Sequence, residues 1–490
     1  MEEKTSPELV PSGVAGLDDI LQGGLTYGKM HLLSGGPGTG KTTFALHFIA
    51  EGIRRGEQCL YITVAGAGEE LLALANVSGI PLDPALFSMH SVQITGEILQ
   101  GPEQRIFHSA ETEPAEALKD ILAEIQRVKP KRLVIDSLSD LRLLSEDQIS
   151  YRRLILALRQ AFDACECTVL LTNNVNGERT EVDMHLETIC HGAIRLEQVV
   201  LGFGPTRRRL LVQKVRGRAY RSGWHDFRIV TGGIRVFPTL IAGEHRHDAP
   251  RGLISSGDPY LDLLFSGGLD RGSVVAIIGA SGTGKTTAAN QYVVAAAKNG
   301  EHVAVYLFDE TVESYRERAE GMGLAVEEFV NKGVIALSHV DVAEFSIGEF
   351  TAKLRQEVEE RETRIIVIDT LSGYATAMPD QEYLSVHLHE LLTYLSHNGV
   401  TTLLTVEQHG LFGQETLEVK GISYLADTIL LLRFFEHRGE VRRAISVVKK
   451  RRGNHEKTIR ELTISEKGIS IGEPLVEMQG VLTGVPTLVG

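Results

Sequence analysis

The chain has 490 residues, of which 43% are hydrophobic and 23% charged, and its formal net charge is −14. This length is too great for one hydrophobic core and suits two domains of about 240 residues each. The acidic balance argues against general affinity for nucleic acid. The sequence contains no run of about 18 apolar residues, the length that a helix needs to span a bilayer. The polar start and only four cysteines predict a cytoplasmic protein without structural disulfides.

A phosphate-binding loop follows a short arm at residues 1–12. Gly35–Thr42 fits the pattern G-x-x-x-x-G-K-[ST] at every position, between the predicted strand Met30–Ser34 and a predicted helix. In such a loop, backbone N–H groups surround a phosphate, the lysine reaches the β- and γ-phosphates, and the threonine hydroxyl binds Mg²⁺. We therefore predict that ATP and Mg²⁺ bind here, with ATP contacted by Gly36, Gly38, Thr39, Gly40, Lys41, Thr42 and Thr43.

Apolar runs of strand length follow the loop and predict a mostly parallel sheet wrapped by helices. The predicted strands are Gln58–Val64, Lys131–Ser137 and Thr168–Thr172, with an antiparallel edge at Leu210–Lys214 and Phe227–Val230. Asp136 closes an apolar strand, the position from which a carboxylate holds Mg²⁺ through its hydration shell. Thr42 and Asp136 are the predicted metal residues of this half.

The second half repeats the first. Gly279–Thr286 is another complete phosphate loop after the predicted strand Val274–Ile278, and Asp369 again closes an apolar strand. The repeat predicts two α/β domains, 13–245 and 253–470, joined by a linker at 246–252 and followed by a loosely held tail at 471–490. The predicted metal residues are Thr286 and Asp369, and the predicted ATP contacts are Ser281, Gly282, Thr283, Gly284, Lys285, Thr286 and Thr287.

The two halves differ where hydrolysis needs a group that takes a proton from water. The second half carries Asp309 and Glu310 where the chain leaves a predicted strand, whereas the first half has Ala65-Gly66. Glu69 and Glu70 come three residues later, and we interpret them as favouring the positive end of the following helix.

Basic pairs follow one predicted edge strand in each half. Lys214-Val215-Arg216-Gly217 resembles Lys450-Arg451-Arg452-Gly453, and alternate residues of a strand share a face. Lys214 with Arg216, and Lys450 with Arg452, are either solvated edge residues or catalytic cations delivered to a neighbouring subunit's nucleotide. Their repetition favours the second interpretation.

These motifs together resemble the KaiC family, the double-domain branch of the RecA-like ATPases, over essentially the full chain. The resemblance rests on the tandem phosphate loops, Asp136-Ser137, Asp369-Thr370, the K-x-R-G strings and the stretch Asp427–Leu432, followed by Arg438-Gly439-Glu440 and Arg443-Ala444-Ile445. It implies two tandem RecA-like P-loop domains and a homohexamer of two stacked rings. ATP would lie at each subunit interface, and the basic pairs would act in trans. It also implies ATPase activity, KaiB-like or signalling protein partners, a circadian role and, in clock-type members, serine/threonine autophosphorylation.

Three departures from the family pattern point to a KaiC homologue rather than a complete oscillator. Ala65-Gly66 stands where the family usually carries a glutamate. Ser423 matches the phosphoacceptor, but Tyr424 replaces the adjacent threonine. The tail also lacks the long extension through which clock-type members engage their activating partner.

Two alternatives stay open on the sequence alone. A nucleic-acid-translocating ring ATPase would use basic runs such as Arg207–Arg209 and Lys449–Arg452, but no zinc ribbon, helix-turn-helix signal or aromatic platform accompanies them. A nucleotide-gated scaffold with little turnover is compatible with Ala65-Gly66. Stimulation of ATP turnover by single-stranded DNA, steeply dependent on salt, would favour the translocase.

Overall fold

The computed structural model describes residues 8–64, 68–92, 112–143, 148–175, 180–200, 206–245, 250–344, 346–376, 381–408, 421–466, 468–481 and 487–488. The chain divides into two compact units between Thr239 and Leu240. Within the described residues, no helix combines the length and apolar character needed to cross a bilayer.

The first unit alternates strands and helices along the chain. Its elements are β1 (Leu9–Val10), α1 (Leu17–Ile20), β2 (Leu25–Thr26), β3 (Met30–Gly35), α2 (Lys41–Arg54), β4 (Cys59–Val64), α3 (Gly68–Val77), β5 (Phe87–Val92), α4 (Thr112–Val128), β6 (Arg132–Asp136), α5 (Leu138–Leu143), α6 (Gln148–Cys165), β7 (Thr168–Asn174), α7 (Glu181–Ile189), β8 (Gly192–Val199), β9 (Arg207–Val215), β10 (Trp224–Val230) and β11 (Gly233–Phe237).

The main sheet of this unit has nine strands in the order β11-β10-β9-β8-β3-β7-β6-β4-β5. Strands β8, β3, β7, β6, β4 and β5 are parallel, and β9, β10 and β11 extend the sheet antiparallel. The predicted parallel sheet and its antiparallel edge are therefore confirmed. Strand β3, which leads into the phosphate loop, lies between β8 and β7 in the interior of the sheet.

Apolar clusters cover both faces of this sheet. Leu33, Tyr61 and Val134 belong to one cluster, whereas their chain neighbours Leu32, Leu60 and Leu133 belong to the other. Alternate residues of a strand point to opposite faces, so strands buried on both sides are apolar throughout. This explains why the apolar runs in the sequence were continuous rather than alternating.

The second unit repeats this alternation. Its elements are a 3₁₀ turn (Ala242–Glu244), β12 (Leu253–Ile254), α8 (Pro259–Leu264), β13 (Leu269–Asp270), β14 (Val274–Gly279), α9 (Lys285–Lys298), β15 (Val303–Leu307), α10 (Val312–Gly321), α11 (Val326–Asn331), β16 (Ile335–His339), α12 (Ile347–Arg361), β17 (Ile365–Asp369), α13 (Leu371–Thr376), α14 (Gln381–His397), β18 (Thr401–Glu407), α15 (Ile422–Leu425), β19 (Thr428–His437), β20 (Glu440–Lys450), β21 (Arg460–Ser465), β22 (Gly468–Pro474), β23 (Met478–Gln479) and β24 (Thr487–Leu488).

Its main sheet also has nine strands, in the equivalent order β16-β15-β17-β18-β14-β19-β20-β21-β22. The strands from β16 to β19 are parallel, and β20 to β22 are antiparallel. Strand β14 occupies the place of β3, so the second phosphate loop also leaves the interior of a sheet. The two units are thus copies of one α/β architecture, as the duplication predicts.

Both ends of the second unit pack into its core. Leu240 and Ala242, which the sequence assigned to the end of the first domain, belong to an apolar cluster of the second unit. At the other end, β22 continues to Pro474. Val481, in the expected tail, is 1% exposed and packs with Phe435 and Ala444.

Candidate nucleotide sites

The first phosphate loop joins β3 to α2, and its backbone geometry depends on glycine at the helix start. Gly40 has φ 94°, in the left-handed region, and directly precedes Lys41, the first residue of α2. A Cβ at Gly40 would lie 2.7 Å from Ile229 Cδ1 of the antiparallel edge. The Thr39 hydroxyl donates to the Gly36 carbonyl at 2.8 Å, inside the loop itself. Contacts within the chain itself therefore hold the loop in this shape.

Lys41 folds back over the loop and is largely withdrawn from solvent. Its ammonium donates to the carbonyls of Gly35 at 3.0 Å and Gly36 at 2.8 Å. Burial lowers the pKa of Lys41, and the negative charge of Asp136 opposes that shift. A phosphate in the loop would give the Lys41 ammonium a strong anionic partner in addition to these two carbonyls.

Three hydroxyl groups surround the carboxylate of Asp136. Thr42 donates to Oδ2 at 3.0 Å, Tyr61 donates to Oδ2 at 2.6 Å, and Thr172 donates to Oδ1 at 2.5 Å. The structure thus brings together the two predicted metal residues, Thr42 and Asp136. Their adjacent oxygen atoms fit the hard oxygen ligands that Mg²⁺ prefers.

The second loop repeats this arrangement. Gly284 has φ 102° directly before Lys285, the first residue of α9, and a Cβ there would overlap the Ile464 side chain. Lys285 donates to the Ala280 carbonyl at 3.0 Å. Thr286 donates to Asp369 Oδ2 at 2.7 Å, and Thr405 donates to Asp369 Oδ1. The second pair of predicted metal residues is therefore also assembled.

The remaining predicted ATP contacts lie at the two loops, but not all of their side chains point into the cavities. Thr283 repeats the inward bond of Thr39, donating to the Ala280 carbonyl at 2.7 Å. Thr287 donates to the sulfur of Met322 at 3.2 Å, and Thr43 is buried in α2. Gly38, Ser281 and Gly282 form the outer turns of the loops, where only backbone groups and the Ser281 hydroxyl are available.

A cavity of about 380 Å³ opens beside the second loop. Asp309, Glu310 and Arg318 line it together with Lys285, Thr286 and Asp369, so the predicted carboxylates share one cavity with the phosphate loop. Asp309 Oδ2 accepts from the Thr370 hydroxyl at 2.5 Å. Glu310 Oε1 lies 2.5 Å from the Arg318 guanidinium, which donates to it. Sequence reasoning did not find Arg318, because it lies two helical turns beyond Glu310 in a charged helix without a motif.

Burial is the main influence on Glu310. It raises the pKa of this carboxyl, while the charge and hydrogen bond of Arg318 lower it, and the nearby carboxylates of Asp369 and Asp309 raise it further. A carboxylate with a raised pKa beside a phosphate loop has the character of a general base.

A cavity of about 390 Å³ also lies beside the first loop, but Lys41, Thr42 and Asp136 are not among the residues that line it, so it is not the counterpart of the second cavity. Asp183, Glu187, Arg195 and Glu197 line it with the loop residues from Ser34 to Thr39. Ala65 and Gly66, the counterparts of Asp309 and Glu310, lie outside the described residues. Glu69 and Glu70 stand exposed in the first turn of α3, where the sequence interpretation placed them.

One arginine in each unit reaches back to the phosphate loop. Arg208 Nε donates to the Gly38 carbonyl at 3.4 Å, and Arg443 Nε donates to the Gly282 carbonyl at 3.2 Å. The two arginines come from equivalent strands, β9 and β20. Sequence reasoning treated Arg208 as part of a basic run; the signal it missed is that an arginine recurs at the matching place in β20.

The strand register corrects the alignment of the basic pairs. Lys214 pairs with Ala193, which pairs with the strand residue three before Gly35. Lys449, not Lys450, occupies the same place in the second unit, since it pairs with Ile429 and Ile429 pairs with the residue three before Gly279. The predicted equivalence of Lys450 and Arg452 with Lys214 and Arg216 is therefore wrong by one residue.

The hydrogen bonds support this register. Lys214 donates to the Glu187 and Thr188 carbonyls and Arg216 to that of Thr188, at the end of α7. At the end of α15, Lys449 donates to the carbonyls of Ser423 and Ala426, each at 2.7 Å. Arg451 likewise donates to the Tyr424 carbonyl at 2.6 Å. In both units, the lysine and the second residue after it hold the carboxyl end of a helix.

Lys450 and Arg452 have other surroundings. The Lys450 side chain is 4% exposed and donates to the Phe265 carbonyl at 2.6 Å, so it faces the interior of its own unit. Arg452 is exposed at the turn after β20. Ser423 and Tyr424 are both exposed on α15, directly before β19, and Tyr424 is 73% exposed.

The geometry of two phosphate loops, each with a strand-terminal aspartate, agrees with the similarity of this sequence to known proteins. The family model described as "ATPase: KaiC" matches residues 10–241 and again residues 254–476. The chain belongs to the KaiC ATPase family. It is similar to circadian clock protein KaiC3 of Synechocystis sp., with 26% identity over 487 residues that cover 99% of this chain and 96% of that protein.

Two further relatives carry the name circadian clock oscillator protein KaiC. The protein of Acaryochloris marina is 27% identical, covering 97% of this chain and 91% of that protein. The protein of Thermostichus vulcanus is 26% identical, covering 99% of this chain and 93% of that protein. The family places a nucleotide-binding ATPase domain in each half, as the two loops predicted.

Proposed function

We propose that this KaiC-like ATPase hydrolyses ATP mainly in its second unit and uses the first unit chiefly to bind nucleotide. The observation that carries the proposal is the cavity in which Glu310 lies with Lys285 and Asp369. A half-buried carboxylate, a buried lysine and a strand-terminal aspartate line this one cavity. In the first unit the matching sequence is Ala65-Gly66, which offers no carboxylate.

The proposed reaction is hydrolysis of the bond between the β- and γ-phosphates of ATP. A water oxygen attacks the γ-phosphorus, the bond from that phosphorus to the β–γ bridging oxygen breaks, and ADP leaves with that bond's electron pair. Glu310 accepts the proton that the attacking water loses, and Lys285 with the loop N–H groups stabilises the charge on the phosphate oxygens. Thr286 and Asp369 would hold Mg²⁺, and Thr42 with Asp136 would do so in the first unit; the bound ion would supply positive charge next to the β- and γ-phosphates.

Glu310→Gln tests this proposal. The amide cannot take a proton, so we expect steady-state phosphate release to fall by roughly 10²–10⁴-fold while ATP still binds. Glu313→Gln, at an exposed position in the helix that follows Glu310, is the matched control and should keep full activity. Near-full activity in Glu310→Gln, combined with its loss in Lys41→Ala, would assign hydrolysis to the first unit instead.

We also propose assembly as a homohexamer of two stacked rings, acting through protein partners as a timing or signalling regulator in the cytoplasm. The relatives' names support a clock-related role, and four free thiols fit a reducing compartment. Arg208 and Arg209 are bonded to the Gly38 carbonyl and Glu197 within the unit, which favours a regulator over a nucleic-acid translocase. Light scattering with and without ATP tests assembly; a persistent monomer at saturating nucleotide would contradict it.

Serine autokinase activity is a second candidate, with Ser423 as acceptor. Its support is position: Ser423 is exposed on α15, directly before a strand that pairs with β14. The Tyr424 ring differs in shape from the threonine of the family pattern, so we expect phosphate on Ser423 alone. Mass mapping after incubation with MgATP tests this. Phosphate on Tyr424, or on Thr416 outside the described residues, would overturn the assignment.

A further inference from the structure

We infer that Arg318 is a positioning residue of the second nucleotide site, which holds the Glu310 carboxylate at the edge of the cavity facing the phosphate loop. This inference rests on the proposed role of Glu310. The Arg318 guanidinium donates to Glu310 Oε1 at 2.5 Å, and both side chains line the cavity beside the second loop. Their side chains are 35% and 20% exposed, respectively, so solvent does not fully screen the pair.

The local structure prepares Arg318 for this contact. Thr311 caps α10, accepting from the Ser314 N–H at 3.2 Å, so Glu310 lies directly before the helix and Arg318 two turns inside it. The guanidinium lies 5.7 Å from the centroid of the Tyr315 ring. Tyr315 is fully buried, and its hydroxyl donates to Asn290 of α9, the helix that carries the phosphate loop's lysine. Arg318 is thus packed on a residue that is tied to the nucleotide site.

The duplication provides an independent observation. α3 and α10 are both ten-residue helices at matching places in the two units. In the first unit, Leu74 corresponds to Arg318 and Leu71 corresponds to Tyr315. Gly66 corresponds to Glu310 in the sequence. The carboxylate, the arginine and the tyrosine are therefore replaced as a set. The arginine is thus present in the unit that carries the carboxylate and absent from the unit that lacks it.

Arg318 has a clear electrostatic effect on its partner. Burial and the carboxylates of Asp309 and Asp369 favour the protonated form of Glu310, whereas the charge and hydrogen bond of Arg318 favour its ionised form. Lys285, Glu407 and Arg443 line the same cavity. A protonated Glu310 cannot accept a proton from water, so Arg318 keeps the base usable toward lower pH while touching no reacting atom.

The experiment compares Arg318→Leu, which installs the first unit's residue, with Arg318→Lys and the control Arg316→Leu. Arg316 lies on the same helix but pairs with Glu327 at 3.1 Å, away from the cavity. The rate of phosphate release falls as pH drops through the pKa of Glu310. We expect Arg318→Leu to move this acid limb to higher pH by about one unit or more, because an adjacent opposite charge shifts a carboxyl pKa by about that amount.

Arg318→Lys keeps a positive charge, so its acid limb should move less than that of Arg318→Leu. Arg316→Leu should leave the pH profile of phosphate release unchanged. KM for ATP should stay constant, since the phosphate loop supplies the binding. A raised KM with an unmoved acid limb would mean that Arg318 binds the nucleotide, which overturns the inference. Glu310→Gln is measured in parallel: if it keeps activity, the proposed function fails, and if it loses activity while Arg318→Leu has no effect, only this inference fails.

Discussion

The two nucleotide sites share their backbone and differ in the side chains at one edge. Both loops leave an interior strand, both begin a helix after a glycine in the left-handed region, and both place a threonine against a strand-terminal aspartate. The second site adds Glu310 and Arg318. The first adds Tyr61, whose hydroxyl bonds Asp136, where the second unit has Val305 at the matching strand position.

This difference is the basis for proposing that the two units differ in ATP hydrolysis and not in nucleotide binding. Phosphate is held by backbone N–H groups and a lysine, which depend on the fold and survive in both copies. Hydrolysis depends on a few side chains that can change without disturbing the sheet, because they lie after the ends of strands and in the helices that follow. A duplicated domain can therefore keep its affinity for nucleotide and lose its chemistry.

The largest expected effect concerns the basic pairs, because they test whether a neighbouring subunit completes each of the two nucleotide sites. If the corrected register identifies the cation that completes a neighbouring subunit's site, Arg451→Ala should slow turnover by about 10³-fold while nucleotide still binds. Arg452→Ala is the matched control one residue away and should retain activity. Arg216→Ala, in the first unit, should change total turnover little because the second site supplies most of it.

Phosphate release and nucleotide binding are measured together for these three variants. Loss of activity in Arg452→Ala with retention in Arg451→Ala would restore the alignment expected from the sequence strings. Equal losses in Arg216→Ala and Arg451→Ala would contradict the proposed inequality of the sites.

The smallest effect tests the first site. Tyr61 occupies one acceptor position on Asp136 Oδ2, at 2.6 Å, so it competes with the hydration shell of Mg²⁺. Tyr61→Phe should lower the Mg²⁺ concentration needed for nucleotide binding at the first site by about fivefold, the value of one hydrogen bond of about 1 kcal/mol.

Trp224 can report this binding. It is the chain's single tryptophan, and Arg195, which lines the first cavity, lies 6.0 Å from its ring centroid. Its fluorescence is followed during ATP titrations at a series of Mg²⁺ concentrations. Tyr27→Phe, whose hydroxyl contacts only the exposed Lys131 among the hydrogen bonds of the described residues, is the control. An unchanged or weaker response to Mg²⁺ in Tyr61→Phe would show that the hydroxyl does not compete.

The phosphate loops, the buried strands and the strand-terminal aspartates could be predicted from the sequence, because each depends on a local pattern of residues. A phosphate loop needs consecutive residues of fixed type, and a strand buried on both faces needs a continuous apolar run, so Gly35–Thr42, Gly279–Thr286, Asp136 and Asp369 could all be recognised. The duplication then predicted that the two halves share one architecture. The sequence also showed that the first half has no carboxylate at this place, because Ala65-Gly66 and Asp309-Glu310 follow corresponding strands.

Contacts between residues that lie far apart in the chain could be identified only from the tertiary structure. Tyr61 and Asp136 are 75 positions apart and meet because β4 pairs with β6. Arg443 and Gly282 are 161 apart and meet because only β19 separates β20 from β14, the strand before the loop. The basic pairs show the same limit. The string Lys-x-Arg-Gly matched at Lys450 because Gly453 follows, but hydrogen bonding to β19 places Lys449 opposite Ile429. Register is a property of the pairing of two strands, so one strand's letters cannot determine it.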